Sequence, residues 1–130
     1  GRQDQSVYST IPNKKYHQDE DILNVQNWME THLHQSINLD ELAEQFHLSP
    51  RTFKRRFKQA TGETAISHLQ ALRIDAAKRF LEGTSLAIDV IATQVGYQDQ
   101  SAFSKLFKRE TGLTPGEFRS KFRNKSGQPK

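Results

Sequence analysis

The feature that most limits what this chain can fold into is a repeated basic helix. Leu48 to Gly62 reads LSPRTFKRRFKQATG and contains no acidic residue. Ser49 suits a helix N-cap, and Pro50 suits the first helical position, where its missing N–H would be unpaired in any case. Phe53 and Phe57 lie four residues apart, so both fall on one face and point inward. Arg51, Lys54, Arg55 and Lys58 then project from the other faces, and Gly62 stops the helix. Such a helix, cationic outside and anchored by two aromatics, has the right shape for a DNA major groove. Asp99 to Gly112, DQSAFSKLFKRETG, repeats the pattern: Phe103 and Phe107 keep the spacing, Thr-Gly closes it, and Lys105, Lys108 and Arg109 carry the charge. The segments before the two helices also match, with Ala43 over Ala92 and Phe46 over Val95, and the second copy holds one extra residue in the turn. Two copies of one helical unit predict an all-α fold.

A chain of 130 residues is one domain, or two very small ones sharing a linker helix. Only 34% of it is hydrophobic, so the core must come from helices with one apolar face. There is no cysteine, which removes disulfides, Cys-type zinc fingers and thiolate nucleophiles together. That suits a reducing compartment, and a cytoplasmic, nucleoid-associated protein is expected. No apolar run approaches the roughly 20 residues of a membrane span, and no signal-peptide core is present. The net charge of +4 hides an asymmetry: Asp19–Leu48 holds seven acids and no Lys or Arg, whereas Ser49–Gly62 carries +5 and Ser101–Lys130 carries +6. Bases gathered around two helices in register form a field that steers a polyanion, and nucleic acid is the commonest one.

In chain order, residues 1–18 are polar, contain Pro12 and lack an apolar period, as a linker or tag remnant would. Gly1 without a preceding Met suggests a fragment of a longer protein. Asp19 to Leu33 reads as a helix with acids at its positive end and an apolar stripe of Ile22, Val25, Met29 and Leu33, with Trp28 packing beside it. His32 and His34 face different ways on such a helix and make a poor metal pair. Asn38 and Glu41 predict a capping box for the next helix, whose Leu39, Leu42, Ala43 and Phe46 face inward. His47 then occupies a turn position that favours positive φ, as Gly96 does in the second copy. Thr64 to Glu82 is the longest helix, with an apolar face of Ile66, Leu69, Leu72, Ala76, Ala77 and Phe80, ended by Gly83; Arg73 among them is expected to be structural and paired with a carboxylate. Ser85 is expected to cap a helix running to Val95 that buries Ile88, Ile91 and Ala92, and Asp99 to cap the second basic helix. Thr114-Pro115-Gly116-Glu117 predicts a capping box for a closing helix that packs Phe118 and Phe122, followed by a frayed basic tail over 124–130.

LAEQFHLSPRTFKRRFKQATG, the central ALRIDAAKRFLEGT and IATQVGYQDQSAFSKLFKRETGLTPGEFR together resemble the DNA-binding domain of the AraC/XylS family of bacterial transcription regulators. The match covers Ile22 to Arg123, and GYQDQSAFSKLFKRETGLTP is its most specific part. QSVYSTIP followed by the acidic helix looks most like the subgroup with an N-terminal amidase-like domain. The resemblance implies seven helices, with helix-turn-helix subdomains over 19–63 and 84–123 joined by a long linker helix over 64–83. It implies that both recognition helices enter successive major grooves on one side of the DNA, about 34 Å apart. Two unlike readers in one chain would then take an asymmetric operator.

Base contacts are assigned to Arg51, Lys54 and Arg55 in the first reader and to Gln100, Ser101, Ser104 and Lys105 in the second. Phosphate contacts are assigned to Ser49, Thr52, Lys58, Lys108 and Arg109, and Arg56 is read as a backbone clamp or a solvated charge. The phenylalanines belong to the core rather than to base stacking. No cofactor or metal is expected. Alkyl-transfer repair needs a thiolate, and the five histidines have no partner at catalytic spacing, so an enzyme is not expected. RNA polymerase and a regulatory domain are expected partners, through the acidic stretch, and the domain alone is expected to be monomeric. The competing functions are non-specific architectural DNA binding and a helical protein adaptor.

Overall fold

The structure is a computed structural model that describes residues 15–125. Seven α-helices follow one another among these residues: α1 (Glu20–His32), α2 (Leu39–Gln45), α3 (Pro50–Thr61), α4 (Ala65–Gly83), α5 (Ile88–Gln94), α6 (Gln100–Thr111) and α7 (Pro115–Lys125). No strand occurs among the described residues. The chain divides into two compact units, and the division falls between Leu72 and Arg73, inside α4.

In the first unit each helix starts where a side chain satisfies a free backbone N–H. Asp19 accepts from Ile22 at 3.2 Å, Asn38 from Glu41 at 3.0 Å and Ser49 from Thr52 at 3.2 Å. The three helices bury Ile22, Val25 and Met29, then Leu42 and Ala43, then Phe53 and Phe57, and the first half of α4 completes this core with Ala65, Leu69 and Leu72. Ala43 is fully buried; its small side chain lets α2 and α3 approach closely. Trp28 packs against the core, as expected, and its ring stacks on the His32 ring at 4.1 Å.

The turn between α2 and α3 is built like the turn between α5 and α6. His47 has φ 64° and Gly96 has φ 99°. The next residue folds back in both: the Leu48 N–H donates to the Ala43 carbonyl and the Tyr97 N–H to the Ala92 carbonyl, each at 2.9 Å. This pattern satisfies helix-end carbonyls and turns the chain into the helix that follows. Gly96→Ala is expected to destabilise the second unit by about 1–2 kcal/mol, the cost of a left-handed L-residue, as urea denaturation would measure.

The Thr-Gly pair that closes both α3 and α6 also has a shared geometry. Gly62 and Gly112 cap at φ 84° and 83°. Thr61 Oγ1 lies 2.8 Å from the Phe57 carbonyl and accepts the Glu63 N–H; Thr111 Oγ1 lies 2.8 Å from the Phe107 carbonyl and accepts the Leu113 N–H. A threonine hydroxyl thus staples the end of each of these helices to the chain that leaves it. Beyond the staple the copies stay in register: His68 packs edge-on against Phe57 at 5.3 Å, where Phe118 packs edge-on against Phe107 at 5.4 Å.

The second unit is capped by Asp99, which accepts from Ser101 at 2.9 Å, and by the reciprocal bonds of Thr114 and Glu117. Its core strings together Tyr97, Phe103, Phe107, Phe118 and Phe122, each ring within 6 Å of the next. Arg73 is buried, and its guanidinium sits 5.1 Å from the centre of the Tyr97 ring. Burial pushes the Tyr97 hydroxyl up from its ordinary pKa, and Arg73 opposes the shift. Arg119 and Arg123 both donate to the Thr84 carbonyl, and Arg119 also donates to Leu81, closing the C-terminal end of α4. Burial holds the Arg119 pKa below its usual value, and Arg123 adds to that.

Several expectations need correction. Ser85 does not cap α5; Ala87 holds that position without a side-chain bond, while Thr84 Oγ1 accepts from Leu86. Ile66 is not on the buried face of α4 but 48% exposed, because the buried face turns toward His68 and Leu69 instead. Ile88 is only half-buried. Gly83 lies within α4 rather than beyond it, and Asn124 and Lys125 continue α7. Lys15 and His17 do not behave as free linker: they reach Glu30 and Gln26 on α1. The QSVYSTIP segment lies outside the described residues.

Candidate nucleic-acid interface

In α3 the buried pair Phe53 and Phe57 fixes which way every other residue points. At 100° per residue, Arg55 falls almost opposite that pair, with Arg51 and Lys58 beside it and Lys54 on one flank. Arg51, Lys54, Arg55 and Lys58 are all exposed, as is Ser49, and Thr52 is half-buried. Ser49 is engaged as the N-cap that accepts the Thr52 N–H.

The same rotation organises α6 around Phe103 and Phe107. Gln100, Ser101, Lys105, Lys108 and Arg109 are exposed, and Ser104 is half-buried. Lys105 occupies the place of Arg55 and Ser104 the place of Lys54. Arg109 donates to Glu110 at 3.1 Å, an exposed pair that contributes little to the fold. Where α3 presents Arg51, Lys54 and Arg55, α6 therefore presents two hydroxyls and one lysine, Ser101, Ser104 and Lys105.

Arg56 is not a freely solvated charge. It donates to both carboxylate oxygens of Asp19, at 2.6 and 3.0 Å, and to Asp21 at 3.1 Å. These bonds hold the Asp19 carboxyl below the usual carboxylate range, with burial opposing, and raise the Arg56 pKa. A depressed carboxyl contributes stability that is present above the ordinary Asp pKa of about 3.9 and lost as pH falls through the folded value. The stability of the first unit is therefore expected to fall more steeply below about pH 4 in the wild type than in Asp19→Asn. Chemical denaturation on either side of that pH checks it.

Sequence reasoning also passed over His68. It is fully buried, with Nδ1 at 2.9 Å from Glu63. Aligning TGETAISH with TGLTPGEF would have placed it over Phe118. Among the described residues, no group of three His, Cys, Asp or Glu is arranged to hold a metal, and no helix is long and apolar enough to cross a membrane.

Known proteins are similar to this chain in sequence and in fold. A family described as a helix-turn-helix domain matches residues 42–121. HTH-type transcriptional activator RhaS of Escherichia coli O139:H28 (strain E24377A / ETEC) is 39% identical over 92 residues, covering 71% of this chain and 33% of RhaS. The chain thus spans about a third of the length of the RhaS proteins it matches. The DNA-binding domain of AdpA, a global transcriptional factor whose structure was solved with a target DNA, is 30% identical. It superposes with a TM-score of 0.80 over 84% of this chain and 98% of that one. A transcriptional regulator of Chromobacterium violaceum, described as having an AraC-type DNA-binding domain, is 25% identical, with a TM-score of 0.73 over 79% of this chain and 92% of that one. On the extent of these matches, and on the duplicated helix-turn-helix that underlies them, the chain belongs to the AraC-type helix-turn-helix family.

Proposed function

We propose that this chain binds double-stranded DNA sequence-specifically through α3 and α6 and thereby regulates bacterial transcription. The observation that carries this reading is that both copies bury their paired phenylalanines and turn cations and small polar groups outward from the same helical positions. Arg51, Lys54 and Arg55 would meet base edges in one major groove, and Gln100, Ser101, Ser104 and Lys105 in the next. Ser49, Thr52, Lys58, Lys108 and Arg109 would hold phosphates. Residues 19–63 and 84–123 are the two reading subdomains in this scheme, and residues 64–83 set their spacing on an asymmetric operator.

No part of this mechanism calls for catalysis or a cofactor, and its place of action is the cytoplasm. Two partners are proposed besides DNA. RNA polymerase would meet the acidic stretch of the first unit, in which Glu20, Asp21, Asp40, Glu41 and Glu44 are exposed. A regulatory domain is the other, since the match covers only 33% of RhaS. The isolated chain is expected to act as a monomer.

The test is titration of a labelled specific duplex at several salt concentrations. Lys58→Ala and Lys108→Ala are each expected to weaken binding on every sequence and to reduce the salt slope by about one. Unchanged slopes would show that these lysines do not touch phosphate.

A further inference from the structure

The first reader holds one cation that its twin replaces with an apolar residue. In the repeat, Arg56 corresponds to Leu106, which is 8% exposed and part of the second core. Both positions lie about 80° from the centre of the buried aromatic stripe, on the flank away from Lys54 and Ser104. There a contact acts with leverage on the helix's rotation about its own axis. In α6 that contact is hydrophobic; in α3 it is an ion pair to the cap of α1.

The anchor at the other end of this ion pair is itself fixed. Asp19 caps α1, and its backbone N–H donates to His17 Nδ1 at 3.1 Å. That leaves Nε2 of His17 as the donor to the fully buried Gln26, at 2.8 Å. Lys15 pairs with Glu30 at 3.1 Å, so residues 15–19 form a strap stitched along α1. Arg56 thus joins the first reader to a fixed point rather than to a mobile side chain.

We propose that Arg56 is a positioning residue for the first reader, setting through Asp19 and Asp21 the rotation of α3 and so the direction of Arg51, Lys54 and Arg55. Arg56 itself does not touch DNA. The proposal rests on α3 reading bases.

Two variants test it. Asp19→Asn removes the charge but keeps a side-chain oxygen for the cap, since Asn caps helices as well as Asp. Arg56→Leu installs the residue that the second reader uses. Affinity is measured by anisotropy on a duplex selected by the wild type, and on two derivatives with one half-site or the other scrambled. In both variants, discrimination against the scrambled first half-site is expected to fall about tenfold, the scale of one bidentate base contact. Discrimination at the second half-site and the salt slope should stay at wild-type values. A slope lower by about one in Arg56→Leu alone would make Arg56 a phosphate contact and overturn the proposal. Discrimination unchanged at both half-sites, or reduced equally at both, would also overturn it. A wild type indifferent to the first half-site would instead remove base reading by α3, and the proposal with it. If Arg56→Leu fails to fold, Asp19→Asn decides alone.

Discussion

Phe103→Ala is expected to destabilise the second unit by about 3–5 kcal/mol, the usual cost of emptying a buried phenylalanine site. Phe103 has no exposed surface, and its ring lies 5.8 Å from both Tyr97 and Phe107. It therefore connects the turn before α6 to the aromatic string that ends at Phe122. Removing it leaves a void that rings on both sides would have to collapse into, and Arg73 would lose firm backing for the Tyr97 ring on which it stacks. Small domains are stable by only about 5–15 kcal/mol, so much of the margin would go. DNA binding would fail as a consequence of unfolding. Urea denaturation followed by circular dichroism measures this directly, and a loss below about 1 kcal/mol would place Phe103 outside the core.

Arg55→Ala is expected to act in the opposite way. Arg55 is exposed and points almost directly away from Phe53 and Phe57. Nothing in the fold depends on a side chain so placed, and surface substitutions of this kind change stability by within about 0.5 kcal/mol. Its guanidinium can take two acceptors on one guanine, so specific affinity should fall by about 1–3 kcal/mol, roughly fivefold to more than a hundredfold. Affinity for unrelated duplexes should fall much less. The pair of variants thus separates folding from reading. Should Arg55→Ala lower the melting point as far as Phe103→Ala, the division of these helices into a buried aromatic side and a reading side would be wrong.

What the sequence made legible was whatever the repeat or a local rule determines. The Phe pairs, the caps at Asn38, Ser49 and Asp99, the positive φ at His47 and Gly96, and the Thr114–Glu117 box each follow from a few adjacent residues. What stayed hidden depends on partners distant in sequence. Arg56 looked like one more outward cation because Asp19 is 37 residues away. Ile66 looked inward because helical period alone cannot say which of two adjacent apolar stripes faces the core; His68 decides it by packing on Phe57. Ser85 lost the cap because Thr84 bonds Leu86, so α5 begins later.

The direction of the exposed cations and polar groups of α3 and α6 was legible from the aromatic spacing, because a helix rotates 100° per residue whatever surrounds it. Which of them meet bases was not, since exposure treats Arg51 and Lys58 alike. That distinction belongs to the DNA.

The measurement that tests the central claim most directly is selection from a random pool of double-stranded DNA by the purified chain, at about 150 mM salt, where screening acts over about 8 Å. Enrichment of an asymmetric motif with two unlike submotifs about one helical turn apart is expected. Arg55→Ala should blur one submotif and Lys105→Ala the other. A single enriched submotif would mean that one helix reads and the other only clamps. No enrichment, with binding confined to low salt, would contradict sequence-specific recognition and leave a non-specific DNA-binding domain.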